Sequence, residues 1–551
     1  MKRVSFLFLV FIHVDALGQA PSAPDTITRH NVAAAESLIG LSFNDAKRDS
    51  MVDGLVEQLR AYCALRGVSL PNSIPPALVF NPLPVGMKLP SQRKALALSP
   101  VSGVTRPTHL DDVAFFSIGQ LAELIRTRKV TSEELPRMYI NRLKKYGPVL
   151  ECVITLTESL ALAQARRADR EIAAGKYRGA LHGIPYGAKD LLATKGITTT
   201  WGSVPYKDQL IDEDATVIQR LEKAGAVLVA KLTMGELAWG DVWFGGKTRN
   251  PWNLQQGSSG SSAGSAAATA AGLVAFAIGT ETWGSIVSPS TRCGTTGLRP
   301  TYGRVSRTGA MALSWSMDKI GPICRTVEDC AIVLHAIYGP DGKDQTVYDV
   351  PFNYTPRLDL KKLRVGYLKE DFDSAKSNRE QNAVTLAQLQ SMGVRLIPIT
   401  LPKLPVASLD FILSAEAGAA FDDLTRSGKD DLLVRQIKNA WPNVFRLSRF
   451  IPAVEYIQAN RIRFLLIQEM ARLFEDVDLY VAPSLEGDNL LLTNLTGHPC
   501  MVVPNGFSQD GTPTSISFIG KLFDEATLLA FAKKYQDATG FHLHHPKLPE
   551  P

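Results

Sequence analysis

A run of serine, glycine and alanine from Gly257 to Gly272 constrains the fold of this 551-residue chain more than any other feature. A flexible linker is the ordinary interpretation of such a composition. Here, however, the run passes without a break into AAATAAGLVAFAIG, a small-residue segment that is typical of a buried helix and strand. Small side chains also allow backbone amides to approach a reacting atom. The run therefore predicts a tightly packed core segment rather than a linker.

Helical and strand patterns alternate along most of the chain. Apolar spacing predicts two amphipathic helices within 117–146, where Thr131 and Glu134 form a capping box, and a further helix over 158–174. Short apolar runs predict buried strands at Gly225–Leu232, Leu363–Leu368, Val394–Ile399 and Asp478–Pro483. Strands that alternate with helices indicate an α/β architecture with a largely buried sheet.

Two serines and one lysine have the setting of a nucleophile relay. Ser261 and Ser285 each follow a glycine, and the turn from Thr282 to Ser285 can direct successive backbone N–H groups at one point. Serine is a weak nucleophile that needs a base. Lys189 lies among apolar and glycine residues, and a buried lysine loses its proton more readily. An ordinary surface lysine is the competing interpretation.

The same segments resemble the amidase signature family. The resemblance is collinear over roughly residues 110 to 545, and several long motifs in the right order are highly specific. It is carried by Gly183–Ser203, Lys231–Gly240, Thr248–Asn253, the Ser/Gly run, Gly279–Pro289, Cys293–Gly309, Met317–Leu334, Asn494–Phe507 and Phe523–Ala532. The resemblance implies a mixed, twisted, many-stranded β-sheet flanked by α-helices, with no metal or organic cofactor.

The resemblance also assigns roles. Lys189 matches the catalytic lysine of the family, Ser261 the bridging serine, whose preceding peptide bond is typically cis, and Ser285 the acyl nucleophile. The backbone N–H groups of Thr282, Trp283, Gly284 and Ser285 would receive the oxyanion. Such a site cleaves carboxamides, and esters or carbamates as well, through an acyl-enzyme intermediate.

Several residues depart from the family pattern without removing the triad. Trp283 stands in the oxyanion turn where glycine is usual, so its indole must point away from the site or line the pocket. Ser259 and Ala263 stand where the family commonly has glycine. Glu281 stands where aspartate is common, and Val287 where a basic residue is frequent. We expect these changes to affect how a substrate fits into the site more than the catalytic reaction itself.

The N-terminus predicts export. Lys2 and Arg3 precede a short, mostly apolar stretch and small residues near Ala20, as in a signal peptide. We therefore predict a signal peptide over 1–20, an N-terminal helical extension and proline-rich connector over 21–105, and a catalytic domain over 106–551. Export would place the mature protein in the periplasm or outside the cell.

Composition argues against several classes of binding partner. The net charge of +6 is small for this length and shows no basic block, so nucleic-acid binding is not expected. The apolar stretches are too short to span a bilayer, so stable membrane insertion is not expected. The six cysteines contain no CxxC pair, which argues against a zinc or redox motif. A small amide is the expected substrate, and homo-oligomerisation stays open.

Three hypotheses follow. The first is an exported amidase that uses Lys189, Ser261 and Ser285. The second is a catalytically idle binding protein on the same fold, with Trp283 occluding the site. The third is an A-type subunit of a glutamyl-tRNA amidotransferase. The segments 414–433 and 453–463 do not resemble the middle region of that subunit, and an export signal argues against a tRNA role.

Overall fold

The computed structural model describes residues 27–550, which divide into two compact units. One unit extends to Ile74 and the other begins at Pro75. The predicted signal peptide over 1–20 lies outside the described residues, and the domain boundaries that we drew from the sequence stay predictions.

The smaller unit contains the predicted N-terminal helices, α1 (Arg29–Ile39) and α2 (Asp45–Arg66). Thr28 and Asn44 cap their N-termini by accepting backbone N–H groups. The buried Glu36 of α1 receives two hydrogen bonds from the guanidinium of Arg48 in α2, at 2.9 and 2.7 Å. This bidentate pair joins the two helices.

The proline-rich segment has no helix or strand between Gly67 and His109. Proline fixes φ and removes a backbone donor, which disfavours both kinds of regular element. Within the larger unit this segment instead hydrogen-bonds to distant residues: Lys94 N–H to Asn353 Oδ1 at 2.8 Å, and Ala97 N–H to Tyr354 O at 3.1 Å. The part of this segment that belongs to the larger unit, from Pro75 on, therefore packs on the rest of that unit.

The larger unit is built on a mixed sheet of eleven strands in the order β1-β3-β2-β8-β10-β9-β14-β15-β13-β11-β12. Pairs β2–β3, β2–β8, β11–β12 and β11–β13 are parallel, and the other pairs are antiparallel. The strands of this sheet are β1 (Val153–Leu156), β2 (Pro185–Lys189), β3 (Val227–Leu232), β8 (Phe276–Glu281), β9 (Thr296–Arg299), β10 (Lys319–Cys324), β11 (Val365–Leu368), β12 (Leu396–Ile399), β13 (Leu479–Pro483), β14 (Cys500–Phe507) and β15 (Pro513–Gly520). The short strands β4 (Val242–Trp243) and β5 (Gly246–Lys247) pair with each other, as do β6 (Arg249–Asn250) and β7 (Asn253–Gly257). The four predicted strands correspond to β3, β11, β12 and β13.

Helices flank this sheet. The remaining α-helices of the described residues are α3 (Ile118–Arg126), α4 (Glu134–Leu150), α5 (Glu158–Ala173), α6 (Thr216–Lys223), α7 (Ala263–Ala270), α8 (Val287–Cys293), α9 (Val327–Ile337), α10 (Lys369–Ser374), α11 (Arg379–Ser391), α12 (Phe411–Ala420), α13 (Asp422–Ser427), α14 (Trp441–Ser448), α15 (Ala453–Asp476), α16 (Asn489–Thr496) and α17 (Glu525–Thr539). The predicted helices over 117–146 and 158–174 correspond to α3, α4 and α5. The capping-box hydrogen bonds between Thr131 and Glu134 are present. The predicted α/β fold, a mixed sheet with flanking helices, is confirmed.

The Ser/Gly/Ala run is a core segment, as predicted. All eight residues of α7 are buried, and the helix packs against the neighbouring strands β3, β2 and β8 of the sheet. A Cβ atom on Gly264 would lie 2.5 Å from Cys152 O and 2.6 Å from Thr233 N. Both are backbone atoms that cannot move aside, so the close approach requires glycine.

None of the helices within residues 27–550 has the length and apolar character needed to cross a bilayer.

Gly264→Ala should destabilise the larger unit by about 2 kcal/mol or more, because an added methyl group meets fixed backbone atoms. Thermal and urea unfolding followed by circular dichroism measures this change. Gly54→Ala is the control, since a Cβ there meets nothing within 4 Å and alanine favours the α2 helix. Equal unfolding midpoints for the two variants would contradict the tight packing of α7.

Candidate active site

The site forms where β2 and β8 end side by side. Parallel pairing of Ala188 with Ile278 brings the next residue of β2, Lys189, to the end of β8. The Lys189 amine is completely buried and lies 2.8 Å from Ser261 Oγ, 2.8 Å from Thr280 Oγ1 and 3.1 Å from Ser262 Oγ. Three hydroxyl groups therefore surround the amine, and no carboxylate of the described residues forms an ion pair with it.

Burial sets the protonation of this amine. Desolvation lowers the pKa of Lys189 from 10.5 to about 7, and the more distant carboxylates of Asp318 and Glu281 only partly oppose the shift. The neighbouring Asp190 does not contribute, because Lys231 Nζ pairs with its carboxylate at 2.9 Å in the buried core. A substantial fraction of the Lys189 amine is therefore neutral near pH 7, which is the form that can accept a proton.

The loop that carries Ser261 is held in place by the backbone around it. The peptide bond between Gly260 and Ser261 is cis, as the family resemblance predicts. A Cβ atom on Gly260 would lie 1.8 Å from Gly240 O, so only glycine fits there. Asp241 Oδ2 accepts the Ser259 N–H at 3.1 Å. These contacts fix the position of Ser261 Oγ beside Lys189.

Ser285 lies in the turn between β8 and α8, next to the Ser261 loop. The Ser262 N–H donates to Ser285 O at 3.2 Å, which joins the two segments. In the described part of the chain, the backbone N–H groups of Trp283, Gly284 and Ser285 donate to no protein acceptor, so they are free to bind a ligand oxygen. The structure thus brings Lys189 and Ser261 into direct contact, but within residues 27–550 it contains no hydrogen bond between the hydroxyls of Ser261 and Ser285.

Glu281, one of the departures from the family pattern, anchors the C-terminal side of this turn. Its buried carboxylate accepts the backbone N–H groups of Ile286 at 2.8 Å and Val287 at 2.9 Å, and it pairs with Arg299 at 2.8 Å. Burial opposes ionisation, but Arg299 and the N–H donors outweigh it and lower the pKa of Glu281 to about 2. Glu281 is therefore ionised at every working pH and holds the segment that follows Ser285.

Asp318 anchors the N-terminal side of the turn. Its carboxylate accepts the Thr282 hydroxyl at 2.5 Å and the backbone N–H groups of Leu313 at 2.8 Å and Ser314 at 3.0 Å. Burial raises the pKa of Asp318 above its usual range despite these donors. Asp318, Thr280 and Ser262 were not predicted as site residues, although all three lie within the matched motifs.

Trp283 is the least buried residue of the turn. Its side chain is 43% exposed, whereas Ser285 is 8% exposed. The indole therefore lies at the surface beside Ser285. An exposed aromatic residue next to free backbone donors is suited to contacting a ligand.

A comparison with protein families shows the family of this chain. The family model described as Amidase matches residues 134–529, which is most of the chain and includes Lys189, Ser261 and Ser285. The chain belongs to the amidase family. It is therefore an enzyme of a family that acts on C–N bonds, and the predicted family membership is confirmed.

The relatives of this chain include both amidotransferase subunits and amidases. The A-type subunit of the glutamyl-tRNA(Gln) amidotransferase of Marinomonas sp. (strain MWYL1) is 35% identical over 480 residues, which cover 78% of this chain and 98% of that protein. Among solved structures, the peptide amidase of Stenotrophomonas maltophilia matches with a TM-score of 0.71 and 28% identity, over 80% of this chain and 99% of that one. The corresponding A-type amidotransferase subunit of Thermotoga maritima matches with a TM-score of 0.66 and 26% identity, over 80% and 98%.

The rate at which a fluorophosphonate probe labels Ser285 should rise with pH and level off above about pH 7.5. The base form of Lys189 is the neutral amine, and its fraction increases as pH rises through a pKa of about 7. Labelling is measured by intact mass at each pH, with Ser285→Ala as the unlabelled control. A rate that is flat from pH 5 to 9, or that falls as pH rises, would contradict the role of Lys189 as base.

Proposed function

We propose that this protein hydrolyses the C–N bond of carboxamides through an acyl-enzyme on Ser285, with Ser261 and Lys189 as the proton relay. The observation that carries the proposal is the buried contact of 2.8 Å between Lys189 Nζ and Ser261 Oγ, beside a turn with free backbone donors. A buried neutral amine, a bridging hydroxyl and a second hydroxyl on an adjacent turn are the parts that acyl transfer needs.

In the first half-reaction, Ser285 Oγ attacks the carbonyl carbon of the amide. Its proton passes to Ser261 Oγ while the proton of Ser261 passes to Lys189 Nζ, which becomes an ammonium. The negative charge that develops on the carbonyl oxygen is received by the backbone N–H groups of the turn from Thr282 to Ser285. Each such donor contributes about 3 kcal/mol to transition-state stabilisation.

Breakdown of the tetrahedral intermediate reverses the relay. The C–N bond breaks as the nitrogen takes a proton from Ser261 Oγ, which regains one from the Lys189 ammonium. A neutral amine leaves, and Ser285 carries the acyl group as an ester. Water then attacks this ester with the same relay as base, which releases the carboxylic acid and restores Ser285.

The proposed substrates are peptide amides, aryl amides, and carbamates or esters with an apolar group. The exposed indole of Trp283 supports this choice, since an apolar surface beside the oxyanion donors favours a flat or apolar substituent. We further propose that the protein acts alone after export, on the basis of the signal-like sequence over 1–20.

A second candidate function is that of the A-type subunit in a glutamyl-tRNA(Gln) amidotransferase. Sequence similarity favours this candidate over an amidase that acts alone, because A-type subunits of glutamyl-tRNA(Gln) amidotransferases are 35% identical to this chain over most of its length. Under this hypothesis the same relay would release ammonia from a carboxamide for transfer, and the chain would need partner subunits.

Release of amine from a panel of peptide amides, aryl amides and carbamates tests the proposal. Ser285→Ala should lower turnover by about 10⁴-fold or more, because the nucleophile is lost. Ser290→Ala is the matched control, since its buried hydroxyl on α8 has no hydrogen-bond partner in the described part of the chain. Turnover that survives Ser285→Ala would refute the mechanism.

The two candidate functions are separated by the partner requirement. A free-standing amidase should hydrolyse panel substrates as a purified single chain and should not respond to added tRNA. A protein of the amidotransferase type should be inactive alone and should hydrolyse glutamine only when its partner chains and charged tRNA are present. To distinguish the two functions, the protein is co-purified from its native host and then assayed for hydrolysis of the panel substrates and for tRNA-dependent hydrolysis of glutamine.

Trp283→Gly should lower kcat/KM for an aryl amide by up to about 10-fold relative to acetamide, because a stacking surface is lost. Leu210→Ala, a change at an exposed apolar residue on a loop before α6, is the control. A general increase in rate for all substrates in Trp283→Gly would instead support an occluding indole.

A further inference from the structure

A cavity lies in the larger unit, apart from Lys189, Ser261 and Ser285. Its volume is about 800 Å³, in the range of sites that take small molecules. It opens between α12, α15 and the segment 76–81, and none of Lys189, Ser261 or Thr282 to Ser285 lines it. A ligand in this cavity would therefore be bound outside the catalytic site.

The wall of the cavity is mainly apolar. Its side chains come from elements far apart in sequence, and they include Leu78, Phe80, Trp315, Ile457, Phe464 and Ile467. Several of these side chains are left open to solvent, with Leu78 84% and Ile457 59% exposed. Burial of such surface by an apolar ligand is favourable.

The polar groups at the floor of the cavity are already satisfied. Glu416 accepts hydrogen bonds from the hydroxyls of Ser314 and Ser316 at 2.6 Å and of Tyr456 at 2.8 Å. The guanidinium of the buried Arg463 donates to Ser316 O and Ser316 Oγ at 2.8 Å, and it packs on the ring of Phe80. The charged side chains of the floor therefore already have hydrogen-bond partners within the protein, so an apolar chain can lie against them.

The rim carries a further cation, Arg461, which is exposed, whereas Arg463 on the floor is buried. Arg461 lines the cavity, and its guanidinium donates to the neutral side chain of Gln458 at 2.9 Å. Within residues 27–550, no carboxylate forms an ion pair with it, unlike Arg472 on the same helix, which pairs with Glu469. An apolar cavity with such a guanidinium at its mouth complements an anionic amphiphile.

We propose that this cavity binds an amphiphile with an unbranched apolar chain and a carboxylate head. The chain would lie along the apolar wall, and the carboxylate would pair with Arg461. The proposal does not depend on the catalytic activity, since binding is measured without turnover.

Isothermal titration calorimetry with dodecanoate, below its micelle concentration, tests the proposal on the full-length protein. Hexanoate shows whether chain length matters. Ala419→Trp should abolish binding, because this exposed residue of α12 lines the cavity and a large side chain there fills the mouth without disturbing the core. Arg461→Gln should weaken dodecanoate binding by roughly 3- to 5-fold, as expected for a partly exposed ion pair.

Arg472→Gln is the matched control and should bind dodecanoate as the wild type does. Circular dichroism confirms that each variant is folded. Failure of the wild type to bind dodecanoate, or unchanged binding in Ala419→Trp, would overturn the proposal. So would a concentration-dependent dimer, measured by light scattering, that Ala419→Trp disrupts and dodecanoate does not, because the cavity would then receive a second copy of the chain.

Discussion

The burial of one amine, that of Lys189, organises the centre of this protein. A charged ammonium without a carboxylate partner is costly in a buried site, and the cost is avoided because the amine loses its proton near neutral pH. The neutral amine is then stabilised by the hydroxyls of Ser261, Ser262 and Thr280. Those hydroxyls come from the loop that precedes α7 and from β8, so this environment of Lys189 exists only when β2, β8 and α7 are packed together.

Small residues make that packing geometrically feasible. The approach of Gly260 to the Gly240 carbonyl and of Gly264 to the Cys152 carbonyl leaves no room for a methyl group. The turn that carries Ser285 is then held from both sides, by Glu281 through two backbone N–H groups and by Asp318 through the Thr282 hydroxyl. Preorganised donors of this kind need no rearrangement when charge develops on a substrate oxygen.

Much of this arrangement could be predicted from the sequence, because its signals are local. Local composition indicated which segments are buried: the small-residue run, the residues around Lys189 and the short apolar strands. The order of the motifs indicated the family. The residues that hydrogen-bond to Lys189 were harder to predict from the sequence. Thr280 reaches it only because β8 pairs with β2, and Asp318 reaches Thr282 only through the pairing of β8 with β10. Strand order within an eleven-stranded sheet depends on long-range packing, which local patterns do not encode.

The account requires that Ser285 carry the acyl group during turnover, and the mass of a trapped intermediate tests this most directly. The enzyme is mixed with a slowly hydrolysed aryl ester or amide, quenched with acid and digested for peptide mass spectrometry. The account predicts the acyl mass on the peptide that contains Ser285, and its absence when Lys189 is replaced by methionine. An acyl group on Ser261 or elsewhere, or turnover with no acylated peptide, would contradict it.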